Sequence, residues 1–124
     1  MKTKLFALGA LFGGIAVGLG AFGAHGLQGM PANILKNWEI AVRYQFWHAL
    51  VIMILALTSD IFKDSLLNRI SSLFTIGIII FSGSLYCLAL GAPKWLGAIT
   101  PIGGIGLILG WATLIYSTYN AKHQ

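Results

Sequence analysis

The sequence predicts an all-α integral membrane protein, a four-helix bundle with an amphipathic interfacial helix between its first and second spans. Three observations carry this. Hydrophobic residues make up 57% of the 124-residue chain and charged residues only 9%, and mean hydropathy is +0.83. A soluble domain of average make-up carries about 25% charged residues, and so small a soluble protein has much surface to cover. Four apolar stretches of near-spanning length follow one another along the chain. Sixteen glycines sit in this apolar context, where they cost less than in soluble helices and let backbones approach closely.

The spans run roughly over 5–24, 44–61, 71–91 and 96–119, within a single transmembrane domain covering 1–124. Each approaches the ~20 residues that cross a ~30 Å hydrocarbon layer as a helix. Open strands are excluded as spans because they would leave backbone groups unpaired in lipid. The first stretch follows Lys2 and Lys4 and imitates a signal peptide, but its 20 residues exceed the ~7–15 of a signal core. It is read as a retained span. Between spans one and two, Gly29-Met30-Pro31 makes a turn, with the proline suited to a helix start. Ile34, Leu35, Trp38, Val42 and Phe46 then recur at helical spacing, with Asn33, Lys36, Asn37 and Arg43 largely elsewhere. That pattern predicts an amphipathic helix that lies at the interface and bends into span two, or simply extends it. The second connection, 60–69, is short and charged, and the third, 92–95, is a tight turn.

Four spans place both termini on one side with the second connection. That side holds Lys2, Lys4, Lys63, Arg69 and Lys122, against Lys36, Arg43 and Lys94 on the other. The positive-inside rule then puts both termini in the cytoplasm of a cell (plasma) membrane protein. The net charge of +5 is scattered, with no basic run of the kind nucleic-acid binding requires. The lone Cys87 excludes an intrachain disulfide and any CxxC motif, and its apolar setting reads as a small core residue. GxxxG pairs at Gly9/Gly13, Gly14/Gly18 and Gly106/Gly110 mark close helix packing, either within the bundle or between copies.

Polar residues gather toward the side of the first and third connections: His25, Glu39, Arg43, Tyr44, Gln45, His48, Ser82, Ser84, Tyr86 and Thr100. Ionisable groups in a bilayer tend to face protein or water. Arg43 reads as an interfacial anchor among Trp38, Tyr44 and Trp47, with Glu39 as its i,i+4 partner, or as the cation of a buried site for an anionic headgroup or carboxylate. His25 and His48 lie at the same face and could approach one another, but two imidazoles without a carboxylate or thiolate make a weak ligand set. No metal or cofactor is expected. Thr100-Pro101 reads as an ordinary proline in a first helical turn, or as the start of a broken helix whose free N–H groups at Ile102 and Gly103 point at the cluster.

Five segments carry a family resemblance: Gly20-Ala21-Phe22-Gly23-Ala24-His25-Gly26-Leu27, Ala41-Val42-Arg43-Tyr44-Gln45, His48-Ala49-Leu50, Phe81-Ser82-Gly83-Ser84-Leu85-Tyr86, and Gly97 through Gly104 with Gly110-Trp111. In this order they resemble the YgdD/YwdK-like family of small multi-pass membrane proteins of unknown function. The resemblance covers nearly the whole chain. It implies a plasma-membrane protein of about this length and supplies no activity.

No nucleophile–base–acid set can be assembled. Ser82 or Ser84 with a histidine is the nearest approach, and Glu39 is the only acid on that side. The expectation is therefore a non-enzymatic bundle that packs with itself, with another membrane protein or with lipid. The alternative is an oligomeric small-solute or ion transporter or channel using the polar cluster.

Overall fold

The computed structural model describes residues 1–122, with side chains through Asn120. Lys122, one of the cations counted for orientation, has its side chain outside the described residues. Four long helices make the fold: α1 (Thr3–Gly26), α2 (Ala32–Ala56), α3 (Asp64–Ala89) and α4 (Thr100–Lys122), with a short 3-10 turn over Lys94–Ala98. All four are long and apolar enough to cross a membrane.

The helix ends follow local chemistry. Gly29 takes φ +84° in the first turn, and Pro31, at the N-cap position, starts α2. Gly91 takes φ +99° beyond the end of α3. There Ala92 N–H donates to the Cys87 carbonyl and Gly91 N–H to that of Leu88, a Schellman closure that satisfies carbonyls at the helix end. At the termini side, Lys2 N–H donates to the Ala56 carbonyl at 2.8 Å, and Lys2 Nζ lies 3.1 Å from Asp64 Oδ2. These two contacts hold the starts of α1 and α3 against the end of α2.

The expected interfacial segment is the first half of α2, the second of the two forms foreseen. It does not bend away. Trp38 Nε1 donates to the Leu19 carbonyl at 2.8 Å, Gln45 Nε2 to the Phe12 carbonyl at 2.9 Å, and a Cβ on Gly9 would meet Ala49 and Met53. The antiparallel α1–α2 pair is thus in register over its full length. The charged second connection is shorter than expected, because α3 begins at Asp64.

Helices α2 and α3 form the centre. Ile52 and Leu55 of α2 pack with Leu67, Ile70, Phe74 and Ile78 of α3 and Leu107 of α4, all buried. A smaller cluster joins Leu27, Trp38 and Ala89 at the other end. Helices α1 and α4 are the outer pair, and Ile102, Ile105, Ile108 and Ile115 of α4 are exposed, as suits a surface whose solvent is hydrocarbon.

The α3–α4 contact is built on small residues. A Cβ on Gly103 would collide with the Phe81 backbone nitrogen, and one on Gly110 would stand 2.7 Å from the Phe74 ring. Gly106 lies on Gly77. Of the GxxxG residues, Gly9, Gly13, Gly106 and Gly110 therefore face neighbouring helices. Gly14 and Gly18 do not, for nothing lies within 4 Å of a Cβ at either. Cys87 is exposed, not in the core as expected, because the buried face of α3 passes through Ser84, Leu85 and Ala89 instead.

Gly103→Ala forces α3 and α4 apart and is expected to destabilise the bundle by about 1–3 kcal/mol, the range for overpacking. Gly83→Ala, with open space at its Cβ, is expected to be neutral or slightly stabilising by helix propensity. Unfolding in mixed detergent micelles measures both.

Candidate functional site

The sequence-singled residues separate into an internal network and an exposed pair. The network begins at Gln45, buried on α2. Its amide nitrogen reaches back to the Phe12 carbonyl of α1, and its amide oxygen accepts the Tyr86 hydroxyl of α3 at 2.7 Å. One side chain therefore ties three helices. Trp38 lies beside it, with its ring centroid 4.7 Å from that of Tyr86.

His48 forms a second node. Its Nδ1 lies 2.7 Å from the Tyr44 carbonyl, which can only accept, so this nitrogen carries the proton. Its Nε2 then accepts from Trp111 Nε1–H at 3.0 Å. Both ring nitrogens are satisfied by the neutral tautomer. Phe74 packs against both rings, with centroids at 5.4 Å from each. Ser82 donates to the Ala41 carbonyl at 2.8 Å. Ser84 bonds the Phe81 carbonyl and the Thr100 hydroxyl, joining α3 to the start of α4. Tyr44 also stacks near Phe81, at 4.8 Å between centroids.

The helix packing decides three points that the sequence leaves open. His25 does not approach His48. It is exposed at the end of α1, whereas Ala49 packs against Gly9 and Gly13. The intervening twelve or more residues of α1 separate the two histidines by about 18 Å at 1.5 Å per residue. Among the described residues, no group of three or more His, Cys, Asp or Glu could hold a metal ion. Thr100 does not leave free N–H groups aimed at the cluster, because Ile102 and Gly103 N–H both donate to the Ile99 carbonyl. Finally, His48 lies four residues beyond the midpoint of α2, which begins twelve residues before Tyr44.

The same register changes the meaning of Arg43. It forms an ion pair with Glu39, and both side chains are more than half exposed (59% and 57%). Arg43 stands two residues before Gln45, which bonds Phe12, and five after Trp38, which bonds Leu19. It shares a hollow with Ala16, Val17 and Gly20 of α1 and stands about 16 Å along α2 from the helix start at Ala32. The ion pair sits on the outer surface of the bundle, beside the C-terminal half of α1.

Its surroundings are small and smooth. A hollow of about 270 Å³ includes Gly20, Gly23, Ala24 and Glu39, and an adjoining one of about 250 Å³ includes Ala16, Gly20 and Arg43. The exposed residues of α2 continue this face as Lys36, Glu39, Arg43, Phe46, Leu50 and Ile54, at intervals of three or four.

Sequence reasoning missed Trp111 as a hydrogen-bond donor and the Phe12 and Leu19 carbonyls as acceptors. An indole N–H inside an apolar run requires a partner, and that signal was present in Trp111. Carbonyl acceptors have no sequence signal.

The family described as "Protein of unknown function (DUF423)" matches residues 19–104. A UPF0382 membrane protein of Staphylococcus aureus is 49% identical over 94% of this chain and 96% of its own length. The UPF0382 membrane protein YwdK of Bacillus subtilis is 43% identical over 87% and 89%, in line with the resemblance seen in the motifs. A UPF0382 membrane protein of Haemophilus influenzae is 40% identical over 98% of each chain. No solved structure matches the chain.

The geometry requires His48 to be neutral with its proton on Nδ1. Nitrogen-15 NMR of labelled protein in lipid at neutral pH is expected to show that tautomer, and a doubly protonated ring would contradict the Trp111 bond. Trp111→Phe is expected to destabilise the bundle by about 0.6 kcal/mol, and at most ~1.7, the range for hydrogen bonds between membrane helices.

Proposed function

The chain belongs to the DUF423 family, and we propose that this multi-pass membrane protein is a non-enzymatic module that assembles with a second copy of itself through the α1–α2 face. The exposed Glu39–Arg43 pair, on a helix long and apolar enough to span a membrane, carries the proposal. Charged side chains inside a bilayer face protein or water, because exposure to hydrocarbon costs several kcal/mol. Something other than acyl chains covers this face.

A second copy fits it. A two-fold interface presents the same patch twice and must be self-complementary. Glu39 and Arg43 meet that condition, since Arg43 of each copy reaches Glu39 of the other. The small residues of α1 allow close backbone approach, and the open faces of Gly14 and Gly18 are available to the same contact. The paired internal network supports a structural role for the remaining polar groups. Five cations on the termini side against Lys36, Arg43 and Lys94 on the other favour cytoplasmic termini in the plasma membrane.

In a Cys87→Ser background, Leu50→Cys is expected to crosslink between copies in native membranes, and Ile108→Cys on the far side of α4 is not. Glu39→Leu/Arg43→Leu is expected to weaken the association about tenfold, equivalent to ~1.4 kcal/mol. Equal crosslinking at both positions, or none at Leu50→Cys, refutes the proposal. Ion flux into liposomes that is lost on Arg43→Leu would favour a channel instead.

A further inference from the structure

On the side of α1 that faces α3, a second groove opens at the termini end. It consists of two hollows of about 480 and 260 Å³ that share Leu5, Leu8 and Asn68. The hollow nearer the chain ends includes Lys2 and Lys4. The deeper one includes Ser71, Ser72 and Thr75.

Its polar groups are incompletely matched within the chain. Lys2 is paired with Asp64, but among the described residues Lys4 has no carboxylate partner. Ser71 is only 4% exposed, and its hydroxyl and that of Thr75 find no hydrogen-bond partner. Elsewhere the protein avoids this. Thr113, Ser117 and Thr118 each return a bond to the carbonyl four residues earlier. An unpaired hydroxyl away from water is unfavourable; both oxygens are covered in the lipid-free chain, and a turn about χ1 at these groove-lining residues would let each meet an acceptor from outside the chain.

The order of chemistry along the groove is specific. Cations stand at its mouth. The Asn68 amide comes next, then Ser71 and Thr75 at about one helical turn each, against walls made by Leu5, Leu8 and Ile76. An anionic glycerophospholipid has the same order: a phosphate, then ester carbonyls that only accept, then an acyl chain. Free phosphate would engage the cations and leave the deeper hydroxyls unmet. We propose that the α1–α3 groove binds one anionic glycerophospholipid, with Lys4 on its phosphate and Ser71 and Thr75 donating to its ester oxygens. This site is separate from the α1–α2 face and does not depend on self-assembly.

The full-length protein in maltoside micelles tests it by titration with phosphatidylglycerol, with phosphatidylcholine of the same chains, or with inorganic phosphate. Native mass spectrometry and thermal unfolding are the readouts. One phosphatidylglycerol per chain is expected to be retained and to raise Tm, with neither effect from the other two. Lys4→Gln is expected to weaken retention about fivefold, the worth of one cation near an anionic surface, while Lys94→Gln at the opposite end has no effect. Ser71→Ala is expected to keep the lipid-free Tm and lose most of the lipid-dependent gain. Equal retention of phosphatidylcholine, a comparable gain from phosphate alone, equal weakening by Lys94→Gln, or an undiminished gain in Ser71→Ala would each overturn the assignment.

Discussion

The register of α2 against α1 is the constraint on which the remaining structure depends. Small-residue contacts alone would tolerate sliding, since glycine and alanine present a nearly smooth surface. Two side chains remove that freedom. Trp38 and Gln45 each need an acceptor, and each finds a carbonyl of α1, at Leu19 and Phe12. In hydrocarbon no water substitutes for a lost partner, so a slip by a fraction of a turn would orphan both donors. From this fixed pair the bundle grows outward. Gln45 also receives Tyr86 of α3, and His48 receives Trp111 of α4. Helix α2 thus addresses every other helix through a polar side chain, while Phe74 and its neighbours supply the apolar contact around it.

Much of this was legible in the sequence. The four helices follow from apolar length alone, and the importance of Gln45, His48, Ser82 and Tyr86 follows from their polarity within apolar runs. The packing of the charged half of α2 on α1 was not legible, for a definite reason. A span delimited by hydropathy excludes its own charged residues, so the charged half of α2 is assigned to the interface by construction. The contacts of Trp38 with α1 make that half part of one continuous helix packed in the bundle, and no local pattern encodes them. Cys87 fails similarly, because its exposure depends on the rotation of α3 set by distant packing. Thr100 has the right chemistry for a helix cap but bonds Ser84 across the helix pair instead.

Functional expectation shifts with the register. The internal polar groups are largely occupied with one another, whereas the groups that lack full satisfaction lie on two outward faces. One is the ion pair beside the small residues of α1. The other is the groove where Ser71 and Thr75 stand unpaired beneath Lys4. A protein of this size that leaves unmet polar chemistry on its surface is suited to engaging its surroundings in the membrane, one face toward another copy and one toward lipid.

The register itself can be measured directly. A Cβ on Gly13 would lie 3.8 Å from that of Ala49, the separation typical of a disulfide. In a Cys87→Ser background, Gly13→Cys/Ala49→Cys should form an intramolecular disulfide readily in native membranes, and Gly13→Cys/Ala56→Cys, two turns further along the same face of α2, should not. Crosslinking of the second pair in preference to the first would place the charged half of α2 at the interface and contradict the account.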